Sequence, residues 1–338
     1  MAPDPIQIAP KGLSLLLETL GWSDPDLWWS HWQQRGGFDL ARRVWPADVK
    51  DEWLLGVALP LLSQVEALLE RGCRSLLGLS ALPGCGKTSL CEWLVQASAE
   101  LGWSIAFLSI DDFYWPGPEL DRRMAGNPWG VPRAIPGSHD LELMATALDQ
   151  WRETGELYAP RFDKSLRQGR GDRSEWLRSS PDLVVLEGWF VGVFVSPEVC
   201  CAKNQSQQQS TAQERSVRNS SLDQCSGQKP ESIQLTPEEL LYREQLIRLL
   251  PDYAPIWNRI DKLWHFKAQS STSSRLWKRQ QVATQAKTTG VELSQSAVQD
   301  FVRMIETAFP AAWLQNLPQS DVVIDLTNQR AVREITLI

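Results

Sequence analysis

Hydrophobic and polar positions divide the 338-residue chain into two regimes. Over residues 1–72 the apolar positions recur three and four apart. They fall at Leu13, Leu16, Leu17 and Leu20, and again at Leu54, Leu55, Leu59, Leu62, Val65, Leu68 and Leu69. That spacing marks one face of a helix, so the first 72 residues are predicted to form a helical layer packed on whatever follows. From residue 74 the pattern changes. Residues 75–80 (SLLGLS), 104–110 (SIAFLSI) and 183–186 (LVVL) are short continuous apolar runs. Runs of this kind suit strands buried on both faces of a parallel sheet. Residues 261–267 (DKLWHFK) and 321–326 (DVVIDL) read as later strands, with helical text between, including 88–101. Strands alternating with helices predict an α/β domain over 73–338, its sheet mostly parallel and covered on both faces.

One stretch belongs to neither regime. Residues 203–232 are rich in Gln and Ser and nearly empty of large apolar side chains. Too little surface is available there to offset the entropy of ordering, and the stretch reads as a flexible polar insertion.

Composition narrows the partners. A net charge of −7 and a pI near 5.2 lack the basic excess of a nucleic-acid binder, although a local phosphate site needs no such excess. No uninterrupted apolar run of membrane-spanning length is read, and the first residues carry no basic segment followed by an apolar block. The expectation is a cytoplasmic protein without membrane partners. Its cysteines, 73, 85, 91, 200, 201 and 225, are scattered without a CxxC pair, and are expected to be reduced thiols. The 17 tryptophans, several of them at Trp28, Trp29, Trp32 and Trp45, suit helix packing better than a ligand platform.

Candidate chemistry begins at Ala81-Leu82-Pro83-Gly84-Cys85-Gly86-Lys87-Thr88, a Walker A loop with alanine at its first glycine position. Gly84 and Gly86 allow successive amides to turn inward around phosphates. Lys87 can reach the β- and γ-phosphate oxygens, and the Thr88 hydroxyl can ligate magnesium. The helix starting there adds its positive end. Pro83, Gly84, Cys85, Gly86, Lys87, Thr88 and Ser89 are therefore the predicted ATP-binding residues, and ATP and Mg²⁺ the expected cofactors. The fold class becomes the three-layer P-loop NTPase type.

Three further clusters follow. Asp111-Asp112-Phe113-Tyr114 ends the second strand, where ligands of open α/β sheets lie. A carboxylate there can accept a hydroxyl proton, or it can merely cap the next turn. Glu187, just after LVVL, suits a magnesium-linked acid, so Thr88 and Glu187 are the metal candidates. Between these strands lie Gly137-Ser138-His139-Asp140, Pro160-Arg161-Phe162-Asp163-Lys164-Ser165 and Gly169-Arg170-Gly171-Asp172-Arg173. Their arginines suit carboxylate or phosphate capture, or a solvated loop, and a lone histidine such as His139 is more often structural. Arg275, Lys278 and Arg279 on a later helix, within 270–290, suit a lid over the transferring group, or an exposed basic face.

Taken together, SALPGCGKTSL, SIDDFYW, GSHD, PRFDKS, GRGDR and VVLEGWFVG resemble the D-glycerate 3-kinase family, a branch of the P-loop kinases near uridine kinase, phosphoribulokinase and pantothenate kinase. The resemblance runs from about residue 74 to 326. It implies transfer of the γ-phosphoryl of ATP to the 3-hydroxyl of D-glycerate, a step of photorespiration in photosynthetic organisms. It implies Asp111 as the catalytic base, with Lys87 as its phosphate-binding partner. It also implies an acceptor site drawn from Asp112, His139, Arg161, Lys164, Arg170 and Arg173. Two alternatives remain on the residues alone. One is a kinase of another small alcohol, pantothenate or a nucleoside; the other is a nucleotide-dependent regulator. The chain lacks the Asn-Lys-x-Asp motif of a GTPase. Cys85 offers one more expectation: a thiol at a helix N-terminus has a lowered pKa, against the plainer view that it is a small residue the loop tolerates.

Overall fold

The computed structural model describes residues 9–37, 39–40, 51–194, 233–270, 272–289 and 294–338. The polar insertion at 203–232, Trp45, and three cysteines (200, 201 and 225) lie outside the described residues.

The five predicted strands form the parallel part of one sheet. They are β1 (Ser75–Ala81), β5 (Leu183–Gly188), β6 (Lys262–Ala268) and β7 (Val322–Leu326) in the interior, with β2 (Ile105–Ser109) at one edge. The order is β2-β5-β1-β6-β7-β8, parallel throughout except for β8 (Val332–Leu337), which runs antiparallel to β7 at the edge. Every residue of β1 and β5 is buried, as continuous apolar runs require of central parallel strands. Helices cover both faces. The one that leads directly from the phosphate loop is Lys87–Glu100.

Three strands went unpredicted. β8 reads VREITL, mixing apolar Val332, Ile335 and Leu337 with charged and polar residues, which suits an edge strand with one wet side. β3 (Leu157–Asp163) and β4 (Asp172–Ser179) pair antiparallel as a separate hairpin. The basic stretch read as a possible solvated loop is thus partly strand: residues 160–163 end β3, Asp172 and Arg173 begin β4, and Lys164 and Arg170 lie in the turn between them. Its side chains are charged because β4 faces solvent along much of its length.

The helices before β1 share a continuous core with the sheet. Trp28 and Trp32 are buried, and both indole N–H groups donate to Ser63 Oγ, at 2.8 and 2.9 Å. This is helix packing with its polar atoms satisfied. Ser63 lies on the helix Asp51–Leu69, which by length and average composition alone could cross a membrane, although Asp51, Glu52, Ser63, Gln64 and Glu66 interrupt its apolar residues. Here its Leu55, Val57, Leu61, Leu62 and Val65 are buried in the core, and its Gln64 accepts from Trp264 of β6 at 3.3 Å.

Candidate active site

Three adjoining strands set the spacing of the site. β5 lies between β1 and β2, and Glu187 in β5 sits level with Leu79 of β1 and Ser109 of β2. The chain leaves β1 into the phosphate loop and leaves β2 into a 3-10 turn, Ile110–Phe113. Loop, Glu187 and the Asp111 turn therefore share one end of the sheet, where open α/β sheets bind ligands.

The phosphate loop has the required backbone. Gly84 and Gly86 have φ of +80° and +104°, a region closed to most side chains. Lys87 is buried and folded back, its Nζ donating to the carbonyl of Ala81 at 2.8 Å. The Thr88 hydroxyl donates to Glu187 Oε1 at 3.0 Å, and Lys87 Nζ stands 3.9 Å from Glu187 Oε2. Pro83 is half-buried and Ser89 exposed on the first helical turn. Cys85 departs from expectation. Its side chain lies among Trp53, Leu90 and Phe266 rather than at the loop mouth. Burial pushes the thiol up to about 11, a shift that Lys87 and Arg330 only partly oppose. Packing in an apolar wall overrides the helix end, so a reactive thiol is not what this position holds.

The two acids of the 3-10 turn divide their work. Asp112 closes a capping box with Ser109, accepting from its amide at 3.0 Å. The same carboxylate takes Arg161 Nη1 at 2.8 Å and the Phe162 amide at 3.3 Å. It is buried and fully engaged in joining β3 to the tip of β2, so the assignment of Asp112 and Arg161 to the acceptor site does not hold. Asp111 is different. Its Oδ1 receives the Tyr114 hydroxyl at 2.6 Å, and Oδ2 lies 2.7 Å from Lys164 Nζ. Burial alone would raise its carboxyl, but the Lys164 ammonium and the two hydrogen bonds outweigh it and hold the group well below the usual carboxylate range.

His139 stands one layer behind. It is buried, stacks on Tyr114 at 4.7 Å between ring centroids, and its Nδ1 is 2.8 Å from the Tyr253 hydroxyl. Burial lowers its pKa to about 4, so the ring is neutral near pH 7. His139 therefore backs Tyr114, which in turn holds Asp111. Two more predicted acceptor residues are anchors. Arg173 donates to the Tyr114 carbonyl and to Asp140 Oδ2, each at 2.9 Å. Arg170 pairs with Asp121 at 2.7 Å, beside Arg167, which binds the same carboxylate. These arginines tie the hairpin to the helix Gly117–Met124 and to the turn before the helix Leu141–Thr154. Of the six predicted acceptor residues, Lys164 alone meets Asp111 from the open side.

The predicted lid residues separate as well. The helix Ser273–Thr289 begins against the phosphate loop: a Cβ built on Gly84 would lie 2.8 Å from the carbonyl carbon of Trp277. Trp277 is buried, and its indole donates to the Asn328 carbonyl at 2.7 Å. Lys278 Nζ sits 4.3 Å from the Phe301 ring centroid and donates to Gln281 Oε1 at 3.2 Å. Burial and the neighbouring Lys164 and Arg133 push its ammonium down to about 8. Arg275 pairs instead with Glu306 through Nη2 at 2.7 Å, and Arg279 is exposed. The first turns of this helix are docked rather than hinged.

Two arginines were missed. Arg133 holds the carbonyls of Gly169 and Arg170, both at 2.8 Å, and its charge is felt at Lys164 and Lys278. Arg330, in the β7–β8 turn, donates to the Gly84 carbonyl at 2.8 and 3.1 Å and to Gln280 at 2.8 Å. Both residues act across long chain separations, and no local pattern announces them.

A hydroxyl and a carboxylate 3.0 Å apart at the start of the loop helix fit a magnesium ion shared with phosphate oxygens and water. Among the described residues no cluster of three His, Cys, Asp or Glu offers a site made of protein ligands alone. The arrangement suits phosphoryl transfer, with an anion cradle, a metal corner, and a second acid one strand away.

No protein-family model matches the chain. It is 29% identical over 217 residues to the uncharacterized kinase mug58 of Schizosaccharomyces pombe, over 61% of this chain and 69% of that protein. It is 33% identical over 129 residues to the chloroplastic D-glycerate 3-kinase of Arabidopsis thaliana, over 35% of this chain and only 28% of the relative. Among solved structures, a D-glycerate 3-kinase from Cryptococcus neoformans var. grubii superposes with a TM-score of 0.63 at 19% identity, over 83% of this chain and 99% of that one. The fold is thus that of a P-loop kinase, and the sequence relatives are kinases.

Proposed function

We propose that this chain, a P-loop kinase by fold and by sequence kinship, phosphorylates the 3-hydroxyl of D-glycerate with ATP, giving 3-phosphoglycerate and ADP. The observation that carries the reading is the pairing of two acids at adjoining strand ends, Glu187 bonded to Thr88 and Asp111 facing the open side. One acid serves the metal corner and the other the acceptor. The partial match to a D-glycerate 3-kinase supports glycerate, and Lys164 on Asp111, with the charges of Arg133 and Lys278 felt nearby, suits an anionic acceptor.

In this reading the amides of residues 83–88 cradle the triphosphate, and Lys87 leaves the Ala81 carbonyl for the β- and γ-phosphate oxygens. Thr88 and Glu187 would hold magnesium, directly or through water. When bound, magnesium supplies positive charge against the phosphate oxygens. Tyr114 keeps Asp111 oriented, and Asp111 takes the proton of the attacking hydroxyl. The new bond joins the acceptor oxygen to the γ-phosphorus; the bond to the β,γ-bridging oxygen breaks, and its electron pair leaves on ADP. Docking of Trp277 on the loop helps keep water from the transferring group.

The test is mass detection of the product from D-glycerate and MgATP, resolving the 2- and 3-phospho isomers, with L-glycerate, pantothenate and uridine in parallel. Formation of 3-phosphoglycerate at a kcat/KM well above the other acceptors supports the proposal. Turnover confined to another acceptor, or ADP release that needs no acceptor, rejects it.

A further inference from the structure

We infer that the Asp111–Lys164 ion pair is a substrate-operated switch: a carboxylate on the acceptor takes Lys164 from Asp111, and Asp111 then becomes competent to receive the hydroxyl proton. The inference rests on the reading of Asp111 as the base, and deepens it by making hydroxy acids the substrate class.

Both oxygens of Asp111 are engaged, one by the Tyr114 hydroxyl at 2.6 Å and the other by Lys164 Nζ at 2.7 Å. A carboxylate held by an ammonium and a hydroxyl is a poor proton acceptor, because each donor favours its ionised form. Something must leave before the base can work. The two donors differ in freedom. Tyr114 is buried, stacked on His139 at 4.7 Å and edge-on to Phe162 at 5.0 Å, so it cannot withdraw. Lys164 lies just past the end of β3, and its side chain is 50% exposed against 24% for Asp111. A lysine stem of four carbons can swing its charge through several ångströms without moving backbone.

Energetics favour exchange over simple release. Lys164 loses its ion-pair partner when it swings away from Asp111, and an incoming carboxylate returns that interaction to it. A neutral acceptor returns nothing. The surroundings draw in an anion, since Arg133 and Lys278 both sense Lys164 while Glu187 is the other acid it faces. Once Lys164 has turned away, only the Tyr114 hydrogen bond and the neutral His139 behind it remain on Asp111. Its carboxyl then rises toward the ordinary range.

The experiment compares matched acceptors, D-glycerate with D-glyceramide and pantothenate with pantothenol, on the wild type, Lys164→Met, Lys164→Gln and Lys164→Arg, each checked for folding by circular dichroism. The wild type is expected to prefer the acid by about 100-fold or more in kcat/KM, and the Met and Gln variants to lose that preference to within about tenfold. Lys164→Arg retains most of it. The acid limb of the kcat/KM profile, which reports Asp111 in the unliganded enzyme, moves to higher pH in the Met and Gln variants because the cation that depresses it is gone. A lysine that only pairs with Asp111 would move the acid limb and leave the acid preference unchanged. Persistence of the acid preference, or an unmoved acid limb, in both Met and Gln variants overturns the switch. If the glycerate pair turns over with a preference indifferent to Lys164, the glycerate reading stands and the switch falls. If only the pantothenate pair turns over and Lys164 controls its preference, the switch stands and glycerate falls. No turnover of any acceptor by the wild type overturns both.

Discussion

Alanine at Gly84 and at Gly86, placed separately, measures how firmly the Ser273–Thr289 helix is seated on the phosphate loop. Both glycines have positive φ, +80° and +104°. An L-residue in that region pays about 1–2 kcal/mol in backbone strain. At Gly86 no heavy atom lies within 4 Å of the added Cβ, so the strain is the whole cost. At Gly84 the Cβ meets the carbonyl carbon and Cβ of Trp277 at 2.8 Å and the Lys278 amide nitrogen at 3.0 Å. Those atoms are not the ends of flexible side chains. The helix is pinned by the Trp277–Asn328 and Ser273–Asn328 bonds, and the loop by Arg330 on the Gly84 carbonyl. Relief requires moving one against the other, an overpacking cost of about 1–3 kcal/mol. The sums are about 2–5 kcal/mol for Gly84→Ala and about 1–2 kcal/mol for Gly86→Ala. Urea unfolding followed by tryptophan fluorescence reads both, and amide exchange over residues 273–282 locates the loosening. Equal stability losses in the two variants, or unchanged exchange in the helix of Gly84→Ala, would refute the docking argument.

Three other outcomes are expected. Asp111→Asn keeps the shape but cannot take a proton, so turnover falls by about 10²–10⁴-fold while the KM for ATP stays near the wild-type value; steady-state kinetics decide, and near-normal turnover excludes Asp111 as the base. His139 and His265 are each pushed down to about 4, chiefly by burial, from an ordinary value of 6.5. The unfolded chain then binds more protons than the native one between those values, so their stabilising contribution is complete above pH 6.5 and lost as pH falls toward 4. The loss is on the order of 3 kcal/mol per histidine, and urea midpoints that stay level from pH 7 to 4.5 would contradict it. Cys85, buried with its thiol raised to about 11, should resist mild peroxide, whereas the exposed Cys73 oxidises first; peptide mass mapping that finds Cys85 modified ahead of Cys73 would reverse this conclusion.

Much of the site was legible because some chemistry depends on local sequence. A phosphate loop needs glycines at set positions beside Lys and Thr, and all of these fall within eight residues. Asp111 and Glu187 could be placed because each follows an apolar run, and strand ends are where such folds bind ligands. Asp112 was misassigned because two adjacent acids look alike in a string, although only the Ser109 box and Arg161 distinguish them in space. The basic residues of 161–173 misled for a similar reason. A guanidinium that anchors a hairpin and one that binds a substrate have the same formula, and partners such as Asp140, Asp121 and the Tyr114 carbonyl decide between them. The β3–β4 hairpin was invisible because a solvent-facing charged strand carries no apolar signature.

By itself, then, the order of residues determined the buried parallel strands, the class of fold, the phosphate loop and the two acids that flank it. Those features follow from hydrophobic periodicity and from backbone conformations that only certain residues adopt. The order of the strands, the seating of Trp277 on Gly84, the strut from Arg330, and the pairing of Lys164 with Asp111 belong to the tertiary structure alone. They join groups from distant parts of the chain, 246 residues apart in the case of Arg330 and Gly84. A side chain's charge is written in the sequence, but the partner that fixes its pKa and its freedom to move is chosen only when the chain packs.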